Sequence, residues 1–70
     1  MTSHTVKGFG PGDKARVNTD WGGVVLVTVG PRLDPDEGKE IGGDGFHVTY
    51  EEGDMEGTGG RYRFRELKPA

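Results

Sequence analysis

Cysteine is missing from this chain of 70 residues, so neither a disulfide nor a thiolate-ligated zinc can hold the fold together. Long apolar runs are missing as well. The longest is Val24-Val25-Leu26-Val27, interrupted by Thr28, whereas a membrane-spanning helix needs roughly 20 apolar residues. Met1-Thr2-Ser3-His4 leads into no apolar stretch of the signal-peptide kind. The expectation is a cytoplasmic protein with no membrane association. Leu, Ile, Val and Phe together number fourteen, at the roughly 20% border below which chains tend to stay disordered. The net charge is only −3, so the other half of the disorder signature is lacking. One folded domain with a thin core follows, because so short a chain buries only about 60% of its unfolded surface.

No window carries a sustained helical period. What the chain has in abundance is glycine, fourteen residues, placed between apolar segments as turn punctuation rather than in repeats. Residues 1–9 lack periodicity and read as a flexible tail, pinned at most by Val6 or Phe9. Pro11-Gly12 suits the centre of a type II turn. Short segments then alternate apolar and polar residues, the period of half-buried antiparallel strands. The first, Asp13 to Asn18, turns Ala15 and Val17 inward and Lys14 and Arg16 outward. The second, Gly23 to Val29, is apolar on both faces; Thr28 assigns Val25, Val27 and Val29 to the core and leaves Val24 and Leu26 outside. Gly30-Pro31 reads as its end, because proline donates nothing to a ladder. A long acidic loop covers 32–44. The third strand, Gly45 to Glu51, turns Phe46, Val48 and Tyr50 inward. An acidic flexible hairpin loop spans 52–60, and the fourth strand, Gly60 to Arg65, turns Tyr62 and Phe64 inward under an outer row of arginines. Glu66-Leu67 reads as a helical turn that drops Leu67 into the core.

Four motifs in this order resemble a known class. Gly12-Asp13-Lys14-Ala15-Arg16-Val17 is similar to a Gly-Asp-x-Val-x-Val opening, and Gly23-Val24-Val25-Leu26-Val27 to a Gly-x-Val-x-x-Val second strand. Phe46-His47-Val48-Thr49-Tyr50-Glu51-Glu52-Gly53 resembles the third strand with its turn, and Phe64-Arg65-Glu66-Leu67-Lys68-Pro69 the closing turn whose leucine plugs the barrel. Over residues 10–70 the chain resembles an SH3-like barrel of the Tudor/KOW-like kind, bacterial or phage-encoded. The segments 32–44 and 52–60 exceed a minimal barrel of that class. The resemblance implies an all-β fold: a single small SH3-like β-barrel of about five antiparallel strands, with a short helical turn before the last strand. It implies no one function, since that barrel serves many.

Charge is polarised along the chain. Residues 1–33 sum to +2, residues 34–60 to −8 and residues 61–70 to +3, so both ends are basic and together offer one patch. Arg61, Arg63 and Arg65 lie about 6–7 Å apart per two-residue step of a strand, a spacing that tracks phosphates or an acidic partner, with Lys14 and Arg16 in support. The structural alternative pairs these arginines with Glu51 and Glu52 across the hairpin. Trp21, Tyr50 and Tyr62 read either as core filling or as an aromatic contact surface; alternation turns the two tyrosines inward and leaves Trp21 in a loop as a core lid or a contact residue.

The segment Asp34-Pro35-Asp36-Glu37-Gly38-Lys39-Glu40 fails the calcium-loop template, which wants a ligand where Gly38 stands and glycine where Lys39 stands. It reads as a solvated loop, with no metal and no cofactor expected. His47 reads as an outward surface residue beside a carboxylate. No cysteine nucleophile exists, Ser3 and His4 fall in the tail, and a barrel this small has little room for a pocket; the chain reads as non-enzymatic. The leading expectation is a small binding module that engages a protein partner, or a second copy, through its outer strand faces and long loops, with Trp21, Val24 and Leu26 as contacts. The alternatives are KOW-like nucleic-acid or ribonucleoprotein binding through Lys14, Arg16, Arg61, Arg63 and Arg65, and an accessory subunit that docks an acidic protein through the same cations.

Overall fold

Alternation becomes geometry in a computed structural model that describes residues 9–70. The tail expected over residues 1–9, Val6 included, lies outside the described residues except for Phe9, which packs edge-on against Phe64 and lies against the core. The turn that follows closes with a hydrogen bond from the Asp13 N–H to the Gly10 carbonyl at 3.0 Å. Gly12 takes φ 94° at its third position, a left-handed conformation in which a Cβ is strained.

Five strands follow: β1 (Lys14–Thr19), β2 (Gly23–Arg32), β3 (Gly45–Tyr50), β4 (Gly59–Arg63) and β5 (Lys68–Pro69). They form one antiparallel sheet in the order β4-β3-β2-β1-β5. A helix α1 (Pro35–Ile41) links β2 to β3, and a 3-10 turn (Phe64–Glu66) links β4 to β5. The sheet is open: among the described residues no ladder joins its edges β4 and β5. No helix among them is long and apolar enough to cross a membrane.

One face of the sheet makes the core. Ala15, Val17, Val25, Val27, Val29, Phe46, Val48, Tyr50 and Leu67 form a single buried cluster, which reproduces the inward sets that alternation gives for the first three strands. Leu67 follows the 3-10 turn, whose closing bond runs from the Leu67 N–H to the Phe64 carbonyl at 3.2 Å. Gly45 permits the close approach of β3 and β4: a Cβ there would stand 2.0 Å from the Tyr62 carbonyl oxygen.

Three expectations are corrected. First, β2 does not stop at Gly30-Pro31 but runs to Arg32, with a register shift against β3 between Val29 and Arg32. The β1–β2 register ends at Thr28 and its last bonds join Val29 to Gly12 and Asp13. Pro31 therefore sits where β2 has become an edge and an irregularity, the setting in which a missing donor costs little.

Second, residues 32–44 are not one long loop, because Pro35–Ile41 form α1. Asp34 caps α1, accepting from the Glu37 N–H at 2.9 Å while Glu37 accepts from the Asp34 N–H at 3.1 Å. Pro35 opens the helix and left-handed Gly42 closes it. Third, the fourth strand ends at Arg63. Phe64 and Arg65 belong to the 3-10 turn, so Phe64 stays 37% exposed and Arg65 leaves the arginine row.

Candidate interaction surface

The outer face of the sheet divides into two halves of different chemistry. Over β3 and β4 lies α1. Its Glu37 carboxylate meets His47 Nε2 at 3.1 Å, and its Glu40 carboxylate accepts from Arg61 Nη1 at 2.7 Å. His47 and Arg61 face each other across the β3–β4 ladder, so two helical carboxylates land on neighbouring strands. The hydrogen bond to Glu40, reinforced by its charge and that of Glu37, raises the Arg61 guanidinium further above its ordinary value. Arg63 Nε lies 3.5 Å from Glu66, which also accepts the Arg63 N–H at 2.9 Å. The arginine row is thereby neutralised within the chain. Its partners are Glu40 and Glu66 rather than Glu51 and Glu52, because α1 and the 3-10 turn bring their carboxylates to β4 while the hairpin loop carries Glu51 and Glu52 over β2.

There the Glu51 carboxylate accepts the Thr28 hydroxyl and lies 3.9 Å from Lys14 Nζ, and Glu52 accepts the Leu26 N–H at 2.9 Å. Lys14 also donates to the Thr28 hydroxyl at 2.7 Å. Arg16 stands opposite Leu26 on β2 and Lys68 on β5. The two basic ends of the chain thus meet at Arg16 and Lys68, and the cations fall into separate groups rather than one patch: Arg61 and Arg63 belong to β4, the opposite edge of the strand order. Among the described residues Arg16, Arg65 and Lys68 have no ion-pair partner.

The uncovered half, over β1 and β2, presents Val24, 59% exposed, beside half-buried Leu26. No protein-family model, curated protein or solved structure matches this chain. The surface is therefore read from its own chemistry. Val24 and Leu26 are an apolar pair with a cationic border on the β1 side and an anionic border on the side of Glu51 and Glu52.

At the β1–β2 hairpin tip the Thr19 hydroxyl donates to the Gly23 carbonyl at 2.8 Å and accepts from the Gly22 N–H at 3.0 Å. That turn aims Trp21 at the mouth of the core. Its ring meets Tyr50 edge-on at 5.2 Å, and a Cβ on Gly53 would come within 3.1 Å of it. Still 40% exposed, Trp21 is a lid with one free face. Tyr50 continues the row to Tyr62, rings at 6.2 Å and 90°, hydroxyls 2.7 Å apart. Burial first, then this hydrogen bond, pushes the Tyr62 phenol well above its ordinary value.

The residues that the sequence reading missed are Glu37, Glu40 and Glu66, the carboxylates that occupy the arginine face. For Glu37 and Glu40 the signal was present in the Asp34-to-Glu37 spacing of a capping box. The acidic segment is folded onto the sheet through Glu37 and Glu40, and among the described residues no three His, Asp or Glu side chains gather as a metal-ion group.

Proposed function

We propose that this domain is a non-enzymatic binding module that engages a protein through the outer face of β1 and β2, with Val24 and Leu26 at the centre and Trp21 at the hairpin tip. The observation that carries the reading is the exposure of Val24 beside Leu26 on the half of the sheet that α1 leaves open. Adjacent apolar side chains left to water on an otherwise polar face are where a partner gains most by covering them. The barrel of SH3-like, Tudor/KOW-like kind is the architecture we propose with it, supported by the strand order and by the 3-10 turn that delivers Leu67 to the core before β5.

The test is affinity capture from the source cell with the wild-type chain and with Leu26→Lys, matched for thermal stability. Half-buried Leu26 gains a fraction of the about 1.5–3 kcal/mol of a full leucine burial, and a lysine in its place carries a charge into the centre of the contact. Proteins held by the wild type are expected to vanish from the variant. The same proteins held equally by both would refute the reading.

Nucleic-acid or ribonucleoprotein binding of the KOW kind is the second reading, and docking of an acidic protein uses the same cations. Arg16, Arg65 and Lys68, which have no ion-pair partner among the described residues, favour either over the paired Arg61 and Arg63. Phosphate contacts lose affinity steeply as salt rises, whereas an interface centred on Leu26 holds. Oligonucleotide binding that falls with salt and with Arg16→Glu would move this reading to first place.

A further inference from the structure

The charges that border Val24 and Leu26 lie in register. Across the strands one row runs Lys68, Arg16, Leu26 and then Glu51 with Glu52: Lys68 pairs with Arg16, Arg16 with Leu26, the Glu51 N–H donates to the Leu26 carbonyl at 2.9 Å, and Glu52 holds the Leu26 N–H. The row is positive on one side of Leu26 and negative on the other. Such a surface is complementary to itself under one rotation only. A two-fold axis along β2 stacks Val24 on Val24 and Leu26 on Leu26 of a second copy and sets Arg16 and Lys68 against the other copy's Glu51 and Glu52. A two-fold axis across the strands sets like charges together.

We infer that the open half of the outer face pairs with a second copy of this chain, sheet on sheet, about a two-fold axis parallel to β2. The inference rests on the binding-module reading and names its partner. Aligned packing of two sheets keeps their strands within about 30° of each other, and an isologous contact uses the same patch on both copies. Four strand positions at about 4.8 Å and some six residues of β1 and β2 at about 3.3 Å give a face of roughly 20 × 20 Å. Counted over both copies that is roughly 800 Å², below the standard size of specific interfaces and in the range of weak, transient ones, so the dimer is weak, with a dissociation constant on the order of 100 μM.

Sedimentation equilibrium of the whole chain from about 10 μM to about 1 mM reads the outcome. The wild type is expected to dimerise reversibly, and Leu26→Lys to remain monomeric with an unchanged melting temperature. Arg16→Glu alone and Glu52→Arg alone each set two like-charge contacts in the dimer and are expected to weaken it at least about tenfold. Mixed together, these two variants form a heterodimer in which both contacts are again of opposite sign, and association is expected to return. Glu52→Arg also removes the acceptor of the Leu26 N–H, so the recovery on mixing, which a merely misfolded variant does not give, is the deciding arm.

A wild type that stays monomeric to about 1 mM, a dimer indifferent to Leu26→Lys, or variants that do not recover on mixing would each overturn the inference. If the monomeric wild type nevertheless captures a cellular protein that Leu26→Lys loses, self-pairing falls and the binding-module reading stands.

Discussion

Tyr62 shows how much of a side chain's chemistry depends on one neighbour. Alternation along β4 turns it inward, where its hydroxyl meets that of Tyr50 at 2.7 Å. Its phenol is raised by burial first and by that hydrogen bond second. A raised acid stays neutral in the fold after the unfolded chain has begun to ionise near pH 10. Its contribution is therefore complete below pH 10 and lost as pH rises from there towards the folded value. Alkaline melts should show stability flat to about pH 10 and falling above it. Tyr62→Phe should flatten part of that fall and, by leaving the Tyr50 hydroxyl unpaired, cost about 1 kcal/mol at neutral pH. Gly45 makes the sharper case. With the Tyr62 carbonyl 2.0 Å from where a Cβ would stand, Gly45→Ala must part β3 from β4. A loss of about 2–3 kcal/mol in chemical denaturation is expected.

At the scale of elements, α1 is the piece that alternation could not reveal. Seven residues make two turns, too few for a 3.6-residue period to be read, and the helix buries only Gly38. Its marks are local chemistry instead: the Asp34 cap, Pro35 at the start, Glu37 at the third position and Gly42 past the end. Measured against a calcium loop those same carboxylates look like a failed metal site. Measured against a helix start they fit. Asp34→Ala should cost about 1 kcal/mol and, by fraying the first turn, loosen Glu37 from His47 and Glu40 from Arg61. Faster amide exchange across 37–41 and at Arg61, with β1 and β2 unchanged, is the expected signature; uniform acceleration would mean that α1 and the sheet open together.

For the whole molecule, the thin core makes its plug important. Among the described residues Leu67, 5% exposed, is the one core member that does not belong to a strand. Leu67→Ala removes it from a cluster over which, among the described residues, no helix layer lies to collapse inward. A loss of about 2–4 kcal/mol is expected, read as a lowered denaturation midpoint, and binding through Val24 and Leu26 should survive wherever the variant remains folded.

The sequence by itself determined the faces of β1, β2 and β3. Ala15, Val17, Val25, Val27, Val29, Phe46, Val48 and Tyr50 were assigned to the core, and Val24 and Leu26 to the outside, because the side to which a residue points along a strand depends only on its immediate neighbours. Leu67 followed from the turn before it. Only the tertiary structure decided which carboxylate meets which cation. Arg61 and Glu40 stand 21 residues apart, and Leu26 and Glu52 stand 26 apart. Pairings at that range depend on the path of α1 and of the β3–β4 loop in three dimensions, and no local pattern encodes that path. The same path divided the outer face, closing the half that carries the arginines and leaving Val24 and Leu26 open to a partner.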